Sequence, residues 1–248
     1  MTIDPPILHN TIGHRGYAAT APENTAASFN AAKRAGLSWV EFDIQRCKTG
    51  EWVVIHDETL DRTSNGKGPV RDATLAHLKT LDIGSWFGPN FAGEKILTLE
   101  EVLSLMDRLD LHPNIEVKFF DADPKVPLAP LVYQVGQQIL NHWPKNKPQT
   151  MISSFDLPFL IAFRQQYPDW PIGYLVETMS PARLDTMRLY GFTTLSVDKD
   201  SFLTYINTDK LTKNHPVLVY TVNDRQTADK LFAVGVAAIF SDRADLLR

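Results

Sequence analysis

Short apolar runs of strand character alternate with helical stretches along most of the chain, and capping residues mark several of the boundaries. The first run, near Ile7 to Gly13, ends in His14-Arg15-Gly16. A helix is predicted over Thr25 to Ala35, with Asn24 or Thr25 as its cap and Gly36 just past its end. Trp39 to Arg46 and Trp52 to His56 read as the next strands. Only Cys47 to Glu51 joins them, which is too short for a parallel crossover and suits a hairpin around Thr49-Gly50. Residues 58 to 95 then break the rhythm: they are rich in Gly, Asp, Asn and Thr but contain Trp86, Phe87 and Phe91. They read as a long excursion, partly helical at Thr74 to Lys79. The alternation resumes with a helix from Leu99 to Leu109, where Thr98 and Glu101 have the spacing of a capping box.

Further strands are predicted at Asn114 to Lys118, Thr150 to Ser153, Pro171 to Leu175, Thr193 to Val197, Val217 to Val222 and Ala237 to Phe240. Ser180-Pro181 begins a helix that Gly191 ends, and Asn223 or Asp224 begins another that Gly235 ends. Such alternation is that of an α/β protein with parallel strands, and its length suits an eight-stranded (β/α)8 TIM barrel with a small inserted cap. An open doubly wound sheet is the alternative, but the first strand lacks a G-x-G-x-x-G turn. Nine strand candidates compete for eight barrel places. One arm of the hairpin, or the last short run, is therefore accessory. No linker separates two domains, so the expectation is one barrel domain over residues 1–248 with the cap at 58–95.

Two strands break the apolar pattern with charge. Residues two apart on a strand share a face, so Glu41-Phe42-Asp43 and Glu116-Val117-Lys118 each aim two charged side chains to one side of the sheet. Three carboxylates and an ammonium would then converge where apolar packing is expected, an unfavourable arrangement unless a cation or an anionic ligand lies between them. Glu41, Asp43 and Glu116 are accordingly candidate metal ligands, and three hard oxygen donors suit one divalent cation, Mg²⁺ or Ca²⁺. The competing reading is that Glu41 and Asp43 form ion pairs with Lys118 and Arg15.

Composition narrows the partners. The 248 residues are 44% hydrophobic, enough to bury a core without disulfide or metal staples. Lys and Arg number 25 against 29 Asp and Glu, and the net charge of -4 gives no general attraction for nucleic acid or an anionic membrane. Cys47 is the sole cysteine, which excludes an intrachain disulfide and a thiolate cluster. Nothing near the N-terminus resembles a signal peptide, and no segment reaches the length of a membrane span, so a soluble cytoplasmic protein without stable membrane association is expected. The sequence carries no signal for an oligomeric state.

His14 and His56 both follow short apolar runs. A histidine pair can divide proton transfer, one accepting from an attacking hydroxyl and the other supplying a proton to the leaving oxygen. The alternative for each is a structural hydrogen-bonding role. His9, His77, His112, His142 and His215 lack such company and read as surface or packing residues. Arg15 and Lys118 add positive charge suited to a phosphate, the Arg as a fork and the Lys as a point charge. Asn24, with Glu23 beside it, either supports the ligands or caps the following helix. Asn223 and Asp224 either help close the pocket or cap theirs. Trp86, Phe87 and Phe91 either cover the mouth and meet the substrate or form a satellite core that pins the excursion.

Taken in order, His14-Arg15-Gly16, Pro22-Glu23-Asn24-Thr25, Glu41-Phe42-Asp43, Val53-Val54-Ile55-His56-Asp57, Asp61-Arg62-Thr63 with Asn65-Gly66, Gly84-Ser85-Trp86-Phe87, Leu99-Glu100-Glu101-Val102, Asn114-Ile115-Glu116-Val117-Lys118 and Thr221-Val222-Asn223 span nearly the whole chain. In these stretches the sequence resembles the glycerophosphodiester phosphodiesterase family, especially its short cytoplasmic bacterial members. The resemblance implies a (β/α)8 barrel with a cap inserted between His56 and the Asn114 strand. It also implies a divalent cation on Glu41, Asp43 and Glu116, with His14 and His56 as acid and base. Arg15 and Lys118 would bind phosphate, and Trp86, Phe87, Tyr220 and Asn223 would lie at the substrate. The reaction so implied is hydrolysis of a small glycerophosphodiester to sn-glycerol 3-phosphate and an alcohol, by direct water attack or through a cyclic phosphate. Lysophospholipase D-like or phospholipase-like cleavage, and a catalytically silent phosphodiester-binding module, are the alternatives. The chain departs from the family pattern at Tyr220, where tryptophan is usual, at Ser241-Asp242 for Thr-Asp, and at Ala237-Ala238 for Asp-Gly. These changes bear on substrate fit more than on the reaction.

Overall fold

The computed structural model describes residues 11–120, 127–147, 150–206 and 216–243. Strand β1 (Thr11–Gly13) leads through a tight turn to α1 (Ala26–Arg34), followed by the hairpin of β2 (Trp39–Arg46) and β3 (Trp52–Val54). The excursion after β3 contains one α-helical turn, α2 (Leu75–Leu78), between two 3-10 turns (Val70–Asp72 and Pro89–Phe91), and leads into α3 (Leu99–Leu109) and β4 (His112–Val117). Strict alternation follows: α4 (Leu128–His142), β5 (Met151–Ser154), α5 (Leu157–Gln166), β6 (Ile172–Val176), α6 (Pro181–Leu189) and β7 (Thr194–Asp198). The described chain closes with α7 (Lys199–Ile206), β8 (Val217–Tyr220), α8 (Arg225–Ala233) and β9 (Ala238–Ser241).

Every neighbouring pair around β1-β2-β4-β5-β6-β7-β8-β9 is parallel, and β9 pairs back onto β1, so eight strands form a closed (β/α)8 barrel. The ninth strand, β3, runs antiparallel to β2 with Ile44 opposite Val54. The second arm of the hairpin is thus the surplus strand, and the last short run belongs to the barrel. β3 stops at Val54, two residues short of the predicted end, although the Ile55 N–H still donates to the Asp43 carbonyl at 3.1 Å. His56 and Asp57 are released from the ladder by this ending. The predicted start of the first strand, Ile7 to Asn10, lies outside the described residues, as do His9 and His215.

Period two along β2 sorts its side chains into two environments. Val40, Phe42 and Ile44 pack outward in the main core with Phe29 of α1 and Leu103 and Met106 of α3. Trp39 points the other way and joins Ile12, Met151, Leu218, Ala238 and Phe240 in a plug inside the barrel. Glu41 and Asp43 share the Trp39 face and therefore rise above that plug toward the C-terminal ends of the strands, where barrel enzymes place their chemistry.

The caps follow the sequence. Thr25, not Asn24, caps α1 through a capping box with Ser28, and Thr98 and Glu101 form the box of α3. Asp224 caps α8 by accepting from the Thr227 N–H at 2.8 Å. The excursion has a core of its own, in which Val53, Ile55, Leu60, Val70, Leu78, Leu81, Ile83 and Ile96 bury one another. Among the described residues, no helix is long and apolar enough to cross a membrane.

Candidate active site

The register of β2 and β4 assembles the acidic cluster. Glu41 lies opposite Asn114 and Asp43 opposite Glu116, so side chains 73 positions apart in sequence become neighbours across the ladder. One carboxylate oxygen from each of Glu41, Asp43 and Glu116 lies within 4.8 Å of the other two. Glu41 is 4% exposed and Asp43 1%, which places two acids where an unpaired charge is strongly disfavoured.

Cations and amides answer most of this charge. The Arg15 backbone N–H donates to Glu41 Oε2 at 3.0 Å, and the Arg15 Nε lies 3.5 Å from Asp43 Oδ2. Asn24 donates from Nδ2 to Asp43 Oδ2 at 2.8 Å, and the Asp43 N–H donates to Asn24 Oδ1 at 3.3 Å. Lys118 Nζ sits 2.7 Å from Glu116 Oε1 and 3.3 Å from Asp43 Oδ1. The ion pairs anticipated as the alternative to metal ligation therefore form at Asp43 but not at Glu41, which takes only the Arg15 backbone N–H, so they do not exhaust the acids. Glu41 Oε1 is buried without a hydrogen-bond partner. An orphaned carboxylate oxygen beside two more carboxylates is a set of hard oxygen donors that fits a divalent cation.

The electrostatics follow from burial and proximity. Burial, together with Asp43 and Glu116 nearby, pushes the Glu41 carboxyl well above the usual carboxylate range. Burial also raises Glu116, with Asp43 adding to it and Lys118 opposing. At Asp43 burial works the same way but is outweighed by Lys118, Arg15 and His56, which hold this carboxyl below its ordinary value. For Lys118, burial disfavours the charge, and the attraction of Asp43 and Glu116 more than offsets it.

The two histidines line the pocket with Glu41 and Glu116 and are built alike. His14 follows β1 and pairs through Nδ1 with Asp242 Oδ1 at 2.7 Å; His56 follows β3 and pairs through Nδ1 with Asp57 Oδ1 at 2.7 Å. An ionised carboxylate can only accept, so each Nδ1 carries the proton and each Nε2 is left to exchange one. Burial lowers the His56 pKa below its ordinary value, with Asp43 opposing and Arg15 and Lys118 reinforcing. Hydrogen bonds from Arg62 hold Asp57 at about 2.

A pocket opens above the cluster, with His14, Arg15, Glu41, His56, Glu116 and Lys118 on one side. Phe155, Leu175, Tyr220 and Phe240 form an apolar wall on the other. The Tyr220 and Phe155 rings meet edge-on at 6.1 Å, and the Tyr220 hydroxyl donates to the Val176 carbonyl at 2.8 Å.

Other predicted site residues take supporting places. Glu23 accepts from Arg15 Nη1 at 2.7 Å, while Asn223 donates to Asp242 Oδ2 at 2.8 Å and so steadies the partner of His14. Trp86 and Phe87 are not among the pocket-lining residues; they form an edge-to-face chain with Phe91, with centroids 5.6 and 5.3 Å apart. Trp86 also rests against the Arg62 guanidinium, 6.0 Å from its ring centre. His77 is exposed, His112 packs on Trp39, and His142 lies 3.8 Å from Glu100, all away from the pocket. Sequence reasoning assigned no role to Asp57, Asp242, Arg62, Asn114, Ser153 or Phe155. The first three and Asn114 sit inside motifs or next to them, whereas Ser153 and Phe155 are found only through the barrel register.

A closed barrel whose C-terminal rim joins a candidate divalent-cation site to two carboxylate-oriented histidines and two half-buried cations defines a barrel phosphodiesterase. The sequence profile of the glycerophosphoryl diester phosphodiesterase family matches residues 14–246, and the chain belongs to that family of enzymes. It is 34% identical to a glycerophosphodiester phosphodiesterase of Bacillus subtilis over 95% of this chain and 84% of that protein. A glycerophosphodiester phosphodiesterase of Caldanaerobacter subterraneus is likewise 34% identical, over 95% of each. Among solved structures, an Oleispira antarctica phosphodiesterase in complex with the product sn-glycerol-3-phosphate superposes with a TM-score of 0.86 at 30% identity, covering 96% of this chain and 94% of that one.

Proposed function

We propose that the protein hydrolyses small glycerophosphodiesters to sn-glycerol 3-phosphate and an alcohol, with Glu41, Asp43 and Glu116 holding one divalent cation, Mg²⁺ or Ca²⁺. The observation that carries this reading is the pair of His–Asp couples whose imidazoles face one pocket together with a partly unsatisfied carboxylate cluster. A cation bound there supplies Lewis-acid stabilisation to charge that develops on phosphoryl oxygens.

The chain's own groups divide the remaining work. Lys118 and Arg15 bring two fixed positive charges to the acidic side of the pocket, where they hold non-bridging oxygens of the diester. His56, kept neutral by burial at neutral pH, accepts the proton of the attacking hydroxyl at Nε2. His14, held through Nδ1 by Asp242, delivers a proton from Nε2 to the departing alcohol. The alcohol lies against Phe155, Leu175 and Tyr220, which exclude water from that side.

Release of glycerol 3-phosphate from glycerophosphocholine, followed with added metal and after chelation, tests the reading. Turnover is expected to require metal, and unchanged activity in thoroughly metal-free protein would overturn it. His56→Ala is expected to lower kcat by ~10²- to 10⁴-fold while metal affinity stays the same. Near-normal turnover in that variant removes His56 from proton transfer.

A further inference from the structure

Arg62 lies in the excursion after β3 and off the pocket wall, yet its guanidinium joins two arms of the site. Nε donates to Asp57 Oδ2 at 2.6 Å and Nη2 to Asp57 Oδ1 at 2.8 Å. On the other side Nη1 donates to Glu23 Oε2 at 2.7 Å and Nη2 to Glu23 Oε1 at 2.7 Å. The same carboxylates hold the reacting side chains: Asp57 Oδ1 pairs with His56 Nδ1, and Glu23 Oε1 accepts from Arg15 Nη1, each at 2.7 Å. One planar group thus fixes two carboxylates from different loops, one orienting an imidazole and the other a phosphate-facing guanidinium.

We infer that Arg62 is a positioning residue of this phosphodiesterase, a clip that holds Asp57 and Glu23 so that His56 and Arg15 keep a fixed orientation toward the diester. The inference rests on the proposed hydrolysis for its kinetic consequences and on geometry alone for its structural ones. Two bidentate contacts at once need a planar fork with donors on both edges, which a lysine ammonium does not have. The clip is itself backed by Trp86, whose ring faces Arg62 and whose Nε1 donates to the Ile83 carbonyl at 2.9 Å. This gives the exposed indole a role one step removed from the substrate. A second ion pair in the excursion, Arg71 with Glu58 at 2.8 Å, shows the contrast, because Glu58 forms no bond to a site residue among those described.

Arg62→Lys, Arg62→Ala and the control Arg71→Ala separate positioning from simple anchoring of the excursion. Both Arg62 variants are expected to lose about 10- to 100-fold in kcat for glycerophosphocholine hydrolysis. Arg71→Ala stays within about twofold of the wild type. Adding Asp57→Ala to Arg62→Ala is expected to cost less than the product of the two single losses, because both act through one chain. Nitrogen-15 spectra of the imidazoles give a readout independent of turnover. His56 should be one Nδ1–H tautomer in the wild type and a mixture of tautomers in either Arg62 variant. Wild-type kcat in Arg62→Lys, or an unchanged His56 tautomer in both variants, overturns the inference. Should the wild type fail to cleave the diester, the proposed hydrolysis falls and the tautomer comparison still decides the role of Arg62. Should Arg62→Ala not fold, Arg62→Lys carries both measurements.

Discussion

Lys118 and a divalent cation call on the same acids, since the ammonium already lies 2.7 Å from Glu116 and 3.3 Å from Asp43. Removing that charge while keeping the aliphatic stem should therefore tighten metal binding even as it weakens the hold on phosphate. Lys118→Met is expected to bind Mg²⁺ or Ca²⁺ about tenfold more tightly in calorimetric titration, a fraction of the ~4 kcal/mol that two unit charges 4 Å apart exchange at an effective dielectric of ~20. Weaker binding would show that Lys118 organises the carboxylates instead of competing for them. At His56 the sign of the pH dependence follows from burial. Its pKa lies below the ordinary 6.5, and a general base must be neutral, so kcat/KM should fall with acidification along a limb centred below that value. A limb above it would assign the proton-accepting role elsewhere. The residues of the site were unevenly legible in the sequence. The E-x-D and E-x-K triplets declare themselves through strand period, and Asp57 adjoins its histidine, but Asp242 is 228 positions from His14 and only the closing of β9 onto β1 brings them together.

The turn between β1 and α1 shows how an element delivers its side chains. Gly16 has φ +91°, and a Cβ there would lie 2.4 Å from Ser28 Oγ, on the helix whose capping box starts three residues earlier. Gly16→Ala is therefore expected to cost about 1–3 kcal/mol through strain at this turn. For a chain of this size that lowers Tm by roughly 2–10 °C. Because His14 and Arg15 ride on the same turn, turnover should fall with it, and an unaltered melting curve would contradict the argument. Thr98→Ala makes the complementary case. It removes the α3 cap at a cost of about 1 kcal/mol without touching the pocket, so Tm should drop while kcat holds. Capped helices such as α3 and α8 were readable for this reason. Others were not: α4 follows Pro127 with no side-chain cap, and α7 begins directly at the end of β7 with no turn between them. α5 carries Asp156 as its cap, but Leu157 to Phe163 is apolar on all sides and shows no helical period.

Across the whole molecule, a buried acidic cluster couples ligand binding to stability. Anything that binds the folded barrel and not the unfolded chain stabilises it by RT ln(1 + [L]/Kd), ~2.7 kcal/mol at one hundred times Kd. Melting curves should therefore rise by about 5–10 °C under saturating Mg²⁺ or Ca²⁺. Glu41→Gln should lose most of that rise; a shift that survives the substitution would place the cation elsewhere. The barrel itself was legible because eight parallel strands and their helices repeat one pattern, whereas the antiparallel β3 entered the strand count as an equal and only pairing removed it. The ring order has a further consequence. His14, Arg15, Glu41, Asp43, Glu116 and Lys118 all come from β1, β2 and β4 or the residues just after them, three consecutive staves of the barrel. Phe155 follows β5, and Leu175, Tyr220 and Phe240 come from β6, β8 and β9, along the rest of the ring. Substitution can act on these two arcs separately: the apolar staves can change to accept new alcohols while the acidic staves stay as they are.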